Sequence, residues 1–104
     1  MADIVNAELE HCVDVIRSNR SELERLGVTG LSISGSVARG ESKSGSDVDV
    51  IIDFDPTIVQ SMFDLSRIHD VLESELERPV DVLSKRALKM PRHRELIVDA
   101  VRVF

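Results

Sequence analysis

The residues best suited to chemistry form one short constellation near the middle of the chain. Gly35 and Ser36 stand together, and Asp47 and Asp49 follow after ten intervening residues. Glycine lets a phosphate approach the backbone closely, and N–H groups at a strand-to-helix turn attract anions. Side chains two residues apart in a strand share one face, so the two carboxylates point the same way. This spacing indicates metal-dependent chemistry on a nucleoside triphosphate.

A metal is part of this interpretation because two carboxylates held side by side repel each other and need positive charge between them. Mg²⁺ prefers oxygen ligands and keeps waters or phosphate oxygens in its remaining positions. A pair of such ions about 3.5–4 Å apart can hold the attacking and leaving oxygens of a phosphoryl displacement. For an isolated Asp-x-Asp, solvated turn residues are the commoner interpretation. The Gly35-Ser36 turn upstream favours the metal site.

Two competing motifs overlap this region. The run from Gly35 to Ser42 resembles a P-loop, but a P-loop needs a lysine where Glu41 stands. Because glutamate there reverses the charge, we reject the P-loop. The second Asp-x-Asp pair, Asp53 and Asp55, has no phosphate turn before it, and Asp55 is better explained as a helix cap.

Hydrophobic periodicity and turn residues predict the elements that position these groups. The predicted elements are a helix over 3–26 that ends at Gly27, a strand over 28–34, a short helical turn over about 36–40, a strand over 47–54, a helix over 56–77 with Asp55 as N-cap and Pro56 as first residue, a strand over 80–83 and a helix over about 92–101. The order αβ(α)βαβα predicts an α/β (α+β) fold with a small mixed β-sheet packed with helices.

The composition limits the size of the fold and the class of partner. A chain of 104 residues predicts a single domain, 1–104. Three Phe and no Trp or Tyr leave Val, Ile and Leu to form the core and offer little surface for base stacking. A net charge of −6 argues against direct nucleic-acid binding, which needs a basic face.

The single cysteine and the N-terminal residues bear on location. Cys12 lies in a helical pattern and is predicted to be a small buried hydrophobe. One unpaired cysteine suits a reducing, cytoplasmic environment. The chain begins without a basic region followed by an apolar run, so neither a signal peptide nor a membrane span is expected.

At this point a family resemblance is visible. Residues 34–41, which read Ser-Gly-Ser-Val-Ala-Arg-Gly-Glu, and residues 46–49, which read Ser-Asp-Val-Asp, resemble the minimal nucleotidyltransferases of the DNA-polymerase-β-like superfamily. The chain looks like the antitoxin branch that pairs with HEPN-domain toxins. The likeness covers nearly the whole chain and implies the minimal nucleotidyltransferase fold. It also implies that Gly35 and Ser36 bind the triphosphate and that Asp47 and Asp49 bind metal.

A third acid on a neighbouring strand completes the site in that family, and Asp81 matches it. The residues support the same position independently. Val80 and Val82 take one face of their strand, so Asp81 points away from them. Beside Asp47 and Asp49 it would ligate metal or help to deprotonate an incoming hydroxyl.

Three further residues allow two interpretations each. Arg39 either supports the charge of the phosphates or holds its loop against a carboxylate. Ser46 either binds nucleotide or shapes the loop before Asp47. His69, on the apolar stripe of its helix, is predicted to be a packed, hydrogen-bonded histidine rather than a ligand.

The resemblance implies an antitoxin of a type VII-like toxin–antitoxin pair that acts as a Mg²⁺-dependent protein adenylyltransferase. It would transfer AMP from ATP to a hydroxyl, expected to be a tyrosine, of a HEPN toxin. An oligomer with that toxin is compatible with the resemblance. Two alternatives remain open: neutralisation of the toxin by binding alone, and nucleotidyl transfer to a small molecule. The chain itself has no Tyr, so a tyrosine acceptor requires transfer to another molecule.

Overall fold

The structure is a computed structural model that describes residues 7–41, 47–85 and 99–104. The elements are α1 (Ala7–Ser18), α2 (Arg20–Arg25), β1 (Val28–Ser34), α3 (Gly35–Arg39), β2 (Val48–Phe54), α4 (Met62–Leu76), β3 (Val80–Ser84) and β4 (Val101–Arg102). The strands form one sheet in the order β3-β2-β1-β4. β1 is antiparallel to β2 and β4, whereas β2 and β3 are parallel. The predicted fold class, a mixed sheet packed with helices, is confirmed.

The strand β2 follows its predicted alternation. Val48, Val50 and Ile52 are each 0% exposed and pack in one apolar cluster with helical residues such as Cys12 and Ile68. Full burial of side chains of this kind contributes about 1.5–3 kcal/mol each. A slip of one residue would turn this face away from the core, so burial fixes the register of the strand.

The first helical region consists of two helices rather than the single helix predicted over 3–26. The break lies at Asn19, whose side chain donates to the carbonyl of Val15 at 2.9 Å. Ser18 Oγ donates to the carbonyl of Asp14 at 2.8 Å in the same way. Side-chain bonds to carbonyls four residues earlier compete with the backbone ladder and bend helices. Residues 3–6 of the predicted helix lie outside the described part of the chain.

The helix predicted to begin at Asp55-Pro56 begins later, so that prediction was wrong in its start. Asp55 caps a separate turn, in which its Oδ1 accepts from the Thr57 backbone N–H at 2.8 Å. α4 starts at Met62. The Ser61 hydroxyl, at the N-cap, accepts from the Asp64 N–H at 3.3 Å. The Asp64 carboxylate accepts from the Gln60 N–H at 2.8 Å. These two bonds resemble a capping box, although Asp64 accepts from the residue before the N-cap, and they fix the start of α4.

The late start changes the apolar stripe predicted for this helix. Leu72 and Leu76 are buried as expected. Ile58 and Met62, which the prediction placed on the same stripe, are 47% and 78% exposed.

The C-terminal residues form a strand where the end of a helix was predicted. Val101 belongs to β4, which pairs with β1. Leu31 donates its N–H to the carbonyl of Phe104 at 3.1 Å and accepts from Val103 at 2.8 Å. The open edge of β1 thus offers backbone partners that a helix ending at Val101 would leave unused. The remainder of the predicted helix, up to residue 98, lies outside the described residues.

The other edge of the sheet is partly covered by α4. Glu73 Oε2 accepts from the Val80 N–H at 3.0 Å, and His69 Nε2 lies 2.9 Å from the Val80 carbonyl oxygen. His69 is therefore the hydrogen-bonded, partly buried histidine that the sequence predicted. Exposed edge groups invite pairing with other chains, so these contacts close β3 at this residue. Over the described ranges, no helix combines the length and the apolar character needed to cross a membrane.

Candidate active site

The candidate site begins where β1 becomes α3. Ser34 is extended, and Gly35 turns the chain with φ +69°. That region of φ suits glycine because a side chain is strained there. A Cβ built on Gly35 would overlap Asp49 Oδ2 and lie 3.1 Å from Asp49 Cγ. Gly35 therefore lets the turn come close to the carboxylate, and α3 then ends at Gly40, which has φ +70°.

Three polar residues lie side by side across the three strands next to this turn. Ser34 pairs with Asp49 in the β1–β2 ladder, and Asp49 pairs with Asp81 in the β2–β3 ladder. Neighbouring strands lie about 4.7–4.9 Å apart, and paired residues project from the same face. The sheet thus brings Asp49 and Asp81 together beside the Gly35 turn. Asp47 precedes β2 by one residue and is exposed.

The electrostatics of Asp49 show that these carboxylates interact. Partial burial raises the pKa of Asp49, and the negative charges of Asp81 and then Asp47 raise it further, while Arg39 lowers it. Each effect follows from disfavouring or favouring the ionised form. A bound cation between the carboxylates would reverse this repulsion.

Arg39, at the end of α3, is held by carboxylates in the structure. Its Nε donates to Glu41 Oε2 at 3.0 Å, and its Nη1 lies 3.7 Å from Asp99 Oδ2. The hydrogen bond to Glu41 is the main cause that raises the Arg39 pKa. Of the two interpretations, the structure shows the loop-holding contact. Because Arg39 also lowers the pKa of Asp49, its charge still reaches the site.

The remaining predicted residues fall as follows. Ser36 is half-buried in the first turn of α3. Ser46 lies outside the described residues. Asp53 pairs with Gly30 in the β1–β2 ladder, four residues along β2 from Asp49. The structure therefore does not bring Asp53 to the Gly35 turn.

The comparisons with known proteins agree with this geometry. The family model described as a nucleotidyltransferase domain matches residues 7–103. The chain belongs to this nucleotidyltransferase family. It is 32% identical over 96 residues to the protein adenylyltransferase MntA of Thermococcus cleftensis, covering 91% of this chain and 95% of the relative.

Solved structures give the same assignment for this nucleotidyltransferase. A structure of a minimal nucleotidyltransferase superposes with a TM-score of 0.66 at 30% identity, covering 86% of this chain and 93% of the other. A toxin–antitoxin structure with AMP-PNP superposes with a TM-score of 0.63 at 14% identity, covering 95% and 72%. At that identity the second likeness shows the fold alone. The family and the fold that the motif predicted are thus confirmed.

The donors of the nucleotidyltransferase fit a divalent cation. Asp47, Asp49 and Asp81 supply carboxylate oxygens, the ligands that Mg²⁺ prefers, and their mutual repulsion is what such an ion relieves. Across residues 7–41, 47–85 and 99–104, no three His, Cys, Asp or Glu side chains form a preformed metal cage. Mg²⁺ usually keeps several waters and binds through one or two carboxylates together with substrate phosphates, so this site does not need such a cage.

One residue beside the carboxylates was given no role by the sequence analysis. Ser34 is 0% exposed, and its Oγ has no hydrogen-bond partner within the described part of the chain. A buried polar atom usually has a partner, and its lack of one is typical of functional sites. The only signal in the sequence was its position, a hydroxyl residue directly before Gly35 at the end of an apolar strand.

Proposed function

We propose that this nucleotidyltransferase transfers AMP from ATP to a tyrosine hydroxyl of a HEPN-type toxin and thereby acts as its antitoxin. The observation that carries the proposal is the row Ser34–Asp49–Asp81 beside the Gly35 turn. The Thermococcus relative, named as a protein adenylyltransferase, supports the reaction class. The toxin–antitoxin structure with a bound ATP analogue supports the fold of an antitoxin and its use of a nucleotide.

The proposed reaction assigns a role to each of these residues. The acceptor oxygen attacks the α-phosphorus, a new O–P bond forms, and the bond to the pyrophosphate oxygen breaks. Pyrophosphate leaves toward the backbone of Gly35 and Ser36, and Arg39 supports the charge of the phosphates. Ser46, outside the described residues, stays a predicted nucleotide contact. The hydroxyl proton passes to the Asp81 carboxylate.

Mg²⁺ would be held by Asp47, Asp49 and Asp81 and would supply positive charge against the phosphates. The raised pKa of Asp49 supports this role, because an ionised carboxylate among like charges gains most from a cation. The cytoplasm, where thiols stay reduced, is the location that suits the free, buried Cys12.

The test is transfer of label from ATP carrying ³²P in its α-phosphate. The acceptor tested is any HEPN-type protein encoded by a reading frame that neighbours the gene for this chain. With Mg²⁺ present, the toxin becomes labelled, and Asp47→Asn reduces labelling by at least about 100-fold. Asp53→Asn is the matched control, because it removes a carboxylate of the same strand away from the Gly35 turn and keeps the labelling. An unlabelled toxin under these conditions defeats the proposal.

Neutralisation by binding alone is the second candidate, favoured by the large apolar side chain of Met62, which is 78% exposed. A double variant, Asp47→Asn with Asp49→Asn, separates the two functions. If it still protects cells that express the toxin, binding suffices. If protection is lost while the complex still forms, transfer is the neutralising step.

A further inference from the structure

A groove lies between the N-terminal half of α4 and the edge strand β3. It has a volume of about 280 Å³. Its lining includes Met62, Leu65, Ser66, His69, Asp81 and Val82. The groove is therefore mixed in character, and Asp81 of the candidate site is one of the residues that line it.

The exposed start of α4 forms the rim of this groove. Met62 lines it and is 78% exposed. Phe63 is 82% exposed but does not line the groove. The capping box at Ser61 and Asp64 fixes this turn of the helix, so Met62 is held at the rim by local structure.

The sheet order determines which side of Asp49 the acceptor uses. The Gly35 turn follows β1, on one side of β2, whereas Asp81 lies on β3, on the other side. In a phosphoryl displacement the attacking and leaving oxygens are roughly in line. If pyrophosphate leaves toward Gly35, the attacking hydroxyl arrives from above β3. The groove opens on that side, at Asp81.

We propose that this groove seats the segment of the toxin that carries the acceptor hydroxyl. The proposal rests on the proposed function and deepens it, since it assigns the docking surface of the substrate. An apolar side chain next to the acceptor packs against Met62 and Leu65, and the hydroxyl reaches Asp81. An acidic residue next to the hydroxyl is repelled by Asp81, so the segment is neutral or basic around its acceptor.

The contacts of β3 show how the segment is recognised. The N–H and the carbonyl of Val80 are bonded to Glu73 and His69, so a new strand cannot pair with β3 at this residue. Recognition there depends on side chains that enter the groove rather than on extension of the sheet. His69 serves as a wall of the groove, fixed by its bond to the Val80 backbone.

A groove-filling substitution tests the proposal. Ser66→Trp places an indole in the groove, and Arg67→Trp places the same indole on the neighbouring helix position, which does not line it. Both residues are exposed, so the indole has room outside the core. We expect Ser66→Trp to lower kcat/KM for labelled AMP transfer to the HEPN-type toxin by more than about tenfold. Arg67→Trp changes it less than about twofold, and both variants keep the wild-type affinity for Mg-ATP by calorimetry.

A second pair of variants keeps the test valid even if Ser66→Trp misfolds. Met62→Ser weakens toxin binding, whereas Phe63→Ser, equally exposed on the same turn, does not. Toxin affinity is measured by surface plasmon resonance, which needs no transfer reaction. Equal affinities and rates within each pair overturn the groove assignment. An unlabelled toxin with unequal affinities overturns the proposed reaction but keeps the docking surface, so the two failures are distinguishable.

Discussion

Gly35 and Asp49 come so close that the space a Gly35 Cβ would occupy is already taken by the Asp49 carboxylate. Two separate requirements therefore meet at one glycine. Its φ of +69° is strained for any L side chain, and its neighbour leaves no room for one. Gly35 thus accommodates the Asp49 carboxylate as well as the turn that we propose binds phosphate.

We expect Gly35→Ala to destabilise the fold by about 1–3 kcal/mol, the usual cost of a non-glycine residue in such a conformation. The overlap with Asp49 also displaces the carboxylate, so Mg-ATP affinity falls. Urea denaturation and calorimetry measure the two effects. Gly30→Ala is the control, because its Cβ would meet neighbours at ordinary distances of 3.7 Å or more. If both alanine variants bind Mg-ATP as the wild type does, the steric argument is wrong.

Asp49→Asn should increase the stability of the metal-free protein while abolishing transfer. The pKa of Asp49 is raised in the folded state, so the protonated form favours folding, and this contribution is lost as the pH rises through the folded pKa. At pH 7 the ionised Asp49 therefore costs stability, and asparagine removes the cost.

The difference in unfolding free energy between Asp49→Asn and the wild type should shrink as the pH falls toward the ordinary carboxyl range. Urea denaturation at pH 7, 5 and 4 checks this. Added Mg²⁺ should stabilise the wild type and not the variant. A wild type that is more stable than Asp49→Asn at pH 7 without metal would contradict the repulsion described here.

In the proposed site, Glu41 competes with the nucleotide phosphates for Arg39. Glu41→Gln removes that competition, so we expect Mg-ATP to bind about two- to fivefold more tightly. Arg39→Ala weakens Mg-ATP binding by roughly tenfold and leaves the melting temperature nearly unchanged, because the side chain is solvent-exposed. Glu22→Gln, which breaks a comparable exposed pair with Arg25, is the control and leaves nucleotide binding unaltered. Unchanged affinity in Glu41→Gln would show that Arg39 does not contact the nucleotide.

Glu73 stabilises β3 and, through it, the position of Asp81. Glu73→Ala leaves the Val80 N–H without its carboxylate partner, and we expect a loss of about 1–3 kcal/mol in stability. Glu73→Gln keeps an acceptor oxygen and recovers part of it. Chemical denaturation measures the change, with Glu75→Ala on the exposed face as control. A Glu73→Ala variant as stable as Glu75→Ala would show that this edge contact is dispensable.

The sequence predicted the centre of the fold well because strong local signals agree with the tertiary structure there. β1 and β2 are bounded by Gly35 and by the Asp-rich turn, and Leu31, Ile33, Val48, Val50 and Ile52 of their predicted apolar faces are buried. The same alternation placed Asp49 and Asp81 on the face away from the apolar core. Their pairing in register depends on the sheet order, which no local pattern encodes.

The errors lie where a tertiary or side-chain partner competes with a local signal. The Asp55-Pro56 pair is a good helix start in isolation, yet the box at Ser61 and Asp64 takes that role. Val101 continues a helical period, but it pairs with Ile33 of β1 as part of a strand. No local signal predicted that the Ser34 hydroxyl would be buried with no hydrogen-bond partner in the described part of the chain.

The central position of β2 has a consequence for hydrogen exchange. Its amides are flanked by partner strands on both sides, so those around Asp49 exchange only when the whole sheet opens. The edge strands open more readily. Binding of nucleotide or toxin should therefore slow deuterium uptake mainly in the edge strands β3 and β4. The amides of β2 already exchange slowly without a ligand, so their uptake should change little.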